Sequence, residues 1–216
     1  MLTMPPPSKE GERLEEIRPR LYHWKALHPR IGVEVSSHYA ADSGTLIDPM
    51  VPAQGLGWFR DGGEPQGILL TNRHHYRDSD AFREEFACPV LCHEAGLHEF
   101  EGGPQVEGFR FGDELAPGIT AVEVGAICSE ETALHLEIGE GLLSFADGLI
   151  HHDSLRFVSD RLLGEDPEGV KRGLRSALRS LLELEFDSLL FAHGDPLLGG
   201  GKQALREFVE SGSRTT

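Results

Sequence analysis

Cysteine is scarce in this sequence: Cys88, Cys92 and Cys128 are the only three in 216 residues. An odd number without zinc-ribbon spacing excludes a disulfide framework and a structural zinc knuckle, and reads instead as buried, reduced thiols. Basic residues are also few. Lys and Arg total 20 against 36 Asp and Glu, the net charge is −16, and no Lys/Arg block occurs anywhere. A surface of that sign repels a phosphate backbone, so nucleic acid is not an expected partner. No apolar run approaches the roughly 20 residues of a membrane span, and the N-terminus lacks a basic-then-apolar leader. A cytoplasmic, soluble protein that meets a small-molecule substrate or ligand is expected, with no membrane partner.

What is present suffices for a core: 39% of residues are hydrophobic and 26% charged. Residues 1–18, with Pro5, Pro6 and Pro7, read as a flexible lead-in, and residues 19–216 as a single domain. Short strands are expected at Leu21–Trp24, at Ile31–Val35 and in a hairpin pairing Ser37–Ala40 with Gly44–Pro49. The run Gly67–Thr71 is continuously apolar until its last residue, as a strand covered on both faces should be. Asp78 or Ser79 is placed to cap a helix carrying Phe82, Glu85 and Phe86. Strands then follow at Pro89–Cys92, Phe109–Phe111, Ile119–Val124, Thr132–Leu136 and Leu142–Ala146. Past Asp166 and Pro167, Val170, Leu174, Ala177, Leu178, Leu181 and Leu182 recur at helical spacing, with Arg172, Arg175 and Arg179 on the opposite face. A strand at Ser188–Ala192 and a helix over Gln203–Glu210 close the chain. Gly199, Gly200 and Gly201 before that helix lack a Walker lysine and read as a turn.

Four short segments carry chemistry. Thr45-Leu46-Ile47-Asp48 is a strand ending in a carboxylate. Ile68–Leu70 runs into Thr71-Asn72-Arg73-His74-His75-Tyr76-Arg77. Leu143–Ala146 ends at Asp147, and Phe191-Ala192 ends at His193-Gly194. In this order the segments resemble those of the metallo-β-lactamase superfamily, whose ligand loop reads T-H-x-H-x-D-H. The resemblance spans nearly the whole chain and implies an α+β fold, a four-layer αββα sandwich. It implies that His74, Asp147 and His193 are the retained metal ligands, with Asp147 and His74 as the catalytic pair. Asn72, Tyr76 and Arg77 stand where His, Asp and His ligands would be, and are read as substrate-binding positions. The middle motif aligns with Val124–Ser129 and puts Ala126 in place of another His. His93, and one of His151 and His152, are further candidates to face the cleft.

Two ions about 3.5–4 Å apart each need their own ligands, and three surviving ligands cannot serve both. The cofactor expected is one Zn or Fe ion, or none. Arginine carries a permanent charge, so Arg77 is expected to pair with Asp147 in place of a second cation. The leading reading is a hydrolase-like protein whose dinuclear site is degenerate, with at most one metal activating water against an ester, thioester or phosphoester. Its alternative is a metal-free small-molecule-binding or regulatory module on the same fold. Iron-dependent oxygen chemistry is a third, weakened by the missing middle His.

Overall fold

A computed structural model describes residues 13–211. Seven strands form the first sheet in chain order. β1 (Glu15–Arg18), β2 (Leu21–Leu27), β3 (Glu34–Ala40) and β4 (Thr45–Ile47) are antiparallel to one another. β5 (Gly67–Leu69), β6 (Val90–His93) and β7 (Glu107–Phe109) then add in parallel. The second sheet contains β8 (Glu114–Ala116), β9 (Ile119–Glu123), β10 (Thr132–Leu136) and β11 (Leu142–Phe145). A two-stranded ribbon, β12 (Ile150–His151) and β13 (Leu155–Arg156), precedes β14 (Ser188–Phe191), which lies parallel to β11 at the sheet's edge. The helices are α1 (Gly57–Gly62), α2 (Ser79–Phe86), α3 (Pro167–Leu181) and α4 (Gly201–Ser211).

Successive side chains on a strand point to opposite faces, and here both faces are apolar. Leu134 and Leu136 of β10, Leu142 of β11 and Leu190 of β14 meet Leu21, Ile47 and Leu69 between the sheets. Their neighbours Ala133, Leu143, Phe145, Leu189 and Phe191 pack outward against Leu174, Leu178 and Leu181 of α3 and Leu205 of α4. On the other side Trp24, Tyr39, Leu46 and Ile68 pack against Phe59 of α1 and Phe82 of α2. Three apolar layers between helix, sheet, sheet and helix are the αββα sandwich expected from sequence.

Details differ. The lead-in ends sooner than residue 18, because Glu15–Arg18 already pair with β2; residues 1–12 lie outside those described. β3 starts at Glu34, and Ile31 sits in the turn before it. Asp78 occupies the cap position of α2, but its carboxylate accepts the Val51 N–H at 2.8 Å rather than a helix N–H. Asp166 does cap α3, accepting from the Gly169 N–H at 2.8 Å with Pro167 in the first turn. Cys88 and Cys92 are buried, and all three cysteines are free. No helix among the described residues is long and apolar enough to cross a membrane.

Candidate metal centre

The ends of β4, β5, β11 and β14 meet at one edge of the sandwich and supply Asp48, the segment from Thr71, Asp147 and His193. Past β5 the chain turns tightly. The Asn72 carbonyl oxygen of the side chain accepts the His74 N–H at 2.9 Å and caps a short 3-10 turn over Arg73–Tyr76. At about three residues per turn, neighbouring side chains diverge by about 120°, so only one of the paired histidines can face inward. His75 does, at 5% exposure, while His74 is exposed to solvent.

Asp48 fixes His75. One Asp48 oxygen accepts the Thr71 N–H at 2.8 Å, and the other accepts the Thr71 hydroxyl at 2.5 Å and lies 2.9 Å from His75 Nδ1. A carboxylate only accepts and Thr71 has spent its proton, so Nδ1 of His75 carries the hydrogen. Its Nε2 therefore points into the site, 3.4 Å from an Asp147 oxygen. The same oxygen lies 3.0 Å from His193 Nε2, and the other Asp147 oxygen accepts the Asn72 amide N–H at 2.9 Å. One donor atom from each of His75, Asp147 and His193 can be chosen with all three within 4.8 Å of one another. Asp48 and Arg77 both hold positive φ, 47° and 46°, an uncommon conformation that gathers at functional sites.

Electrostatics follow from burial and charge. Burial alone would raise Asp147, but His75 and His193 outweigh it and hold the carboxyl well below its ordinary range. Burial opposes charge on His75 too, yet Asp48 and Asp147 prevail and push it up to about 9. Asp48 is lowered for the matching reason: burial is overcome by His75, Arg77 and Thr71.

The remaining expected residues fall elsewhere. Arg77 carries its charge inside the protein, but no ion pair joins it to Asp147 among the described residues. Its guanidinium donates to the carbonyls of Ser36 at 2.6 Å, Asp48 at 2.7 Å and Ala192 at 3.4 Å, fastening together the strand ends that carry Asp48 and His193. Tyr76 turns away toward α2, where its hydroxyl donates to Asp80 at 2.5 Å. His93 stacks on Phe111 with ring centres 3.9 Å apart. His151 Nδ1 lies 2.8 Å from the Asp195 carbonyl, outside the centre. Glu131, which drew no notice in the sequence, is 1% exposed and accepts the Gly148 N–H at 2.5 Å, just beyond Asp147. Burial and the nearby Asp147 charge push it up to about 7. Its only sequence signal is a doubled acid, Glu130-Glu131, at the mouth of an apolar strand.

No family model and no curated protein matches the sequence. Solved structures do match. The metallo-beta-lactamase from Pontibacter korlensis superimposes with a TM-score of 0.68 at 15% identity, over 94% of this chain and 99% of its own. A metallo-beta-lactamase family protein from Thermus thermophilus gives 0.64 at 17% identity, over 91% and 80%. The chain has the metallo-β-lactamase fold. A third structure, TTHA1623 in a di-iron-bound form, matches with a TM-score of 0.58 at 22% identity, over 87% of this chain and 94% of its own.

Within this fold Gly194 shapes the loop that presents His193. Its φ is 109°, and a Cβ there would overlap the carbonyl oxygen of His151. Gly194→Ala is expected to cost roughly 3 kcal/mol or more, from backbone strain and overpacking together. A urea denaturation midpoint unchanged from wild type would contradict that.

Proposed function

We propose that the centre holds a single Zn or Fe ion on His75, Asp147 and His193, and that the protein is a hydrolase of esters, thioesters or phosphoesters. The observation that carries this is the donor geometry. Ligands on a tetrahedral ion with ~2.0–2.1 Å bonds are about 3.4 Å apart. Two edges of the donor triangle, 3.4 Å from His75 to Asp147 and 3.0 Å from His193 to Asp147, are already of that size. Two imidazoles and one carboxylate suit either metal and leave room for water. Such an ion lowers the pKa of bound water toward ~7 and polarises a carbonyl or phosphoryl oxygen.

The chain's own groups prepare the site. Asp48 orients His75 and sets its tautomer, the usual outer-shell task. Asn72 holds the second Asp147 oxygen, so that carboxylate presents one oxygen to both imidazoles. Asn72, Tyr76, Arg77 and Ala126 at the motif's other ligand positions support one ion rather than two, with the buried Arg77 charge standing in for the second. The identity of the inward histidine supports His75 in place of His74.

Metal content tests this. His75→Ala should lose one equivalent of zinc relative to wild type, and His74→Ala none; the reverse pattern sinks the assignment. Because His75 titrates near 9 without metal, loading the site below that pH expels its proton. Affinity should climb about tenfold per pH unit up to about pH 9. A flat profile between about pH 6.5 and 8.5 in a competition assay with a chelator would count against it.

One observation favours a second reading, a metal-free ligand-binding or regulatory module. Asp147 is already satisfied by His193, His75 and Asn72, and a protonated His75 balances its charge. A wild-type protein that excludes zinc at neutral pH would decide for this reading.

A further inference from the structure

We propose that Glu131 is a positioning residue of the metal centre, an outer carboxylate that seats Asp147 and supplies charge for a divalent ion. This rests on the single-ion reading above and adds a residue outside the ligand set, which among the described residues is His75, Asp147 and His193. Glu130 and Glu131 stand side by side just before β10, and each is 1% exposed. Their surroundings differ. Glu130 has its cation, because Arg73 of the ligand turn pairs with it. Glu131 has no Lys or Arg partner among the described residues. Its carboxylate accepts two backbone N–H groups instead, Gly148 at 2.5 Å and Ile127 at 3.4 Å. A charge held inside a protein is normally paired or directed at a metal.

The contact with Gly148 decides what Glu131 holds. That N–H belongs to the planar peptide that leaves Asp147, so gripping it fixes ψ of Asp147 and steadies the ligand carboxylate. The fit is close. A Cβ at position 148 would lie 2.6 Å from the same Glu131 oxygen and 2.8 Å from Leu174 Cδ2, so glycine alone admits the grip. Glu131 is itself firmly tied. Its carbonyl accepts the Val124 and Gly125 N–H groups at 3.1 Å, and its own N–H donates to the Cys128 carbonyl at 3.2 Å. The next residue, Thr132, donates its N–H to the Thr71 carbonyl at 2.9 Å. Thr71 in turn holds Asp48, so one backbone bond joins the seat of Asp147 to the support of His75.

Charge agrees with position. Both Glu131 oxygens face N–H donors and neither faces an acceptor, which is the pattern of an ionised carboxylate. Three carboxylates, Asp48, Asp147 and Glu131, then stand around the centre against one guanidinium, Arg77. With neutral histidines, as ligation requires, that balance is −2, the charge one divalent ion cancels. Burial and the Asp147 charge both oppose charge on Glu131, and a cation at the centre relieves the second. The loop of the middle motif has Ala126 in place of a ligand, and Glu131 closes that loop. It thus serves the centre through charge and position rather than through a metal bond.

Zinc affinity of the full-length protein, from competition with a chelator at about pH 8, is the test. Glu131→Gln keeps the side chain's size but removes its charge and one of its two acceptors. It should bind zinc at least about tenfold more weakly than wild type. Glu137→Gln, at an exposed acid just past the other end of β10, should bind as wild type does. An affinity within about threefold of wild type for Glu131→Gln, or an equal loss in Glu137→Gln, overturns the proposal. A wild type that binds no zinc defeats the single-ion reading, and metal-free crystals then decide the positioning role. In Glu131→Gln the Asp147 oxygen should lie more than about 4 Å from His193 Nε2, against 3.0 Å in wild type. An unmoved Asp147 overturns it. Should Glu131→Gln not fold, zinc-loaded wild-type crystals decide. Glu131 still accepting the Gly148 N–H is expected, and Glu131 turned away from it or bound to the ion overturns the proposal.

Discussion

Replacing Arg77 with methionine is expected to destabilise the protein by roughly 3–5 kcal/mol, the cost of removing one partner from a buried charge arrangement. The guanidinium reaches the carbonyls of Ser36, Asp48 and Ala192, which belong to three different segments. Methionine fills a similar volume but takes one donor from each carbonyl, leaving Asp48 with the Ser37 hydroxyl and Ala192 with the Ser36 N–H. It also leaves Asp48 and Asp147 facing His75 as their principal remaining cation, so the Asp48 pKa should rise, because Arg77 contributes to lowering it. Arg77→Lys should recover only part of the loss, because an ammonium cannot reproduce the planar fork. Urea denaturation at neutral pH measures both variants. A loss below about 1 kcal/mol for Arg77→Met would mean that the strand ends are held by their own ladders and core contacts.

The second large effect concerns Asp147. Asp147→Asn removes the one group shared by both histidines and should weaken zinc binding by more than about 100-fold. Its effect on the metal-free protein is separable by pH. The pKa of His75 is raised from 6.5 to about 9 in the folded state, so its contribution is full below pH 6.5 and is lost as pH rises through about 9. That contribution is about 3 kcal/mol. Asp147 helps to raise it, so Asp147→Asn should shrink the alkaline loss of stability. The depressed pKa of Asp147 itself acts at the other end: its contribution is present above pH 3.8 and fades as the solution becomes more acidic. The variant should therefore also lose less stability than wild type in acid. Melting temperatures of metal-free protein from about pH 3 to about pH 9.5 report both arms. Parallel curves for wild type and variant would show that the carboxylate is not coupled to His75.

The layer order was legible in the sequence because both faces of the central strands are apolar. Leu142–Phe145 and Ser188–Phe191 leave no polar alternation to mislead the reading, and Asp147 and His193 could be placed because each ends such a run. The ligand loop was harder. Motif register selects His74, yet the Asn72 cap converts the segment into a tight turn and rotates His75 inward. Spacing along a chain does not record that rotation. Arg77 was expected to pair with Asp147, but its hydrogen-bond partners are backbone carbonyls brought together only by the fold. A sequence displays side chains and is silent about which carbonyls a strand end leaves free. The same blindness hid Glu131.

Anomalous diffraction at the zinc edge, on crystals soaked near pH 8, tests the central claim most directly. The account predicts one peak about 2.1 Å from His75 Nε2, His193 Nε2 and an Asp147 oxygen, with no second ion about 3.5–4 Å away. A pair of ions at that spacing, a peak coordinated by His74, or no density at Asp147 would contradict it.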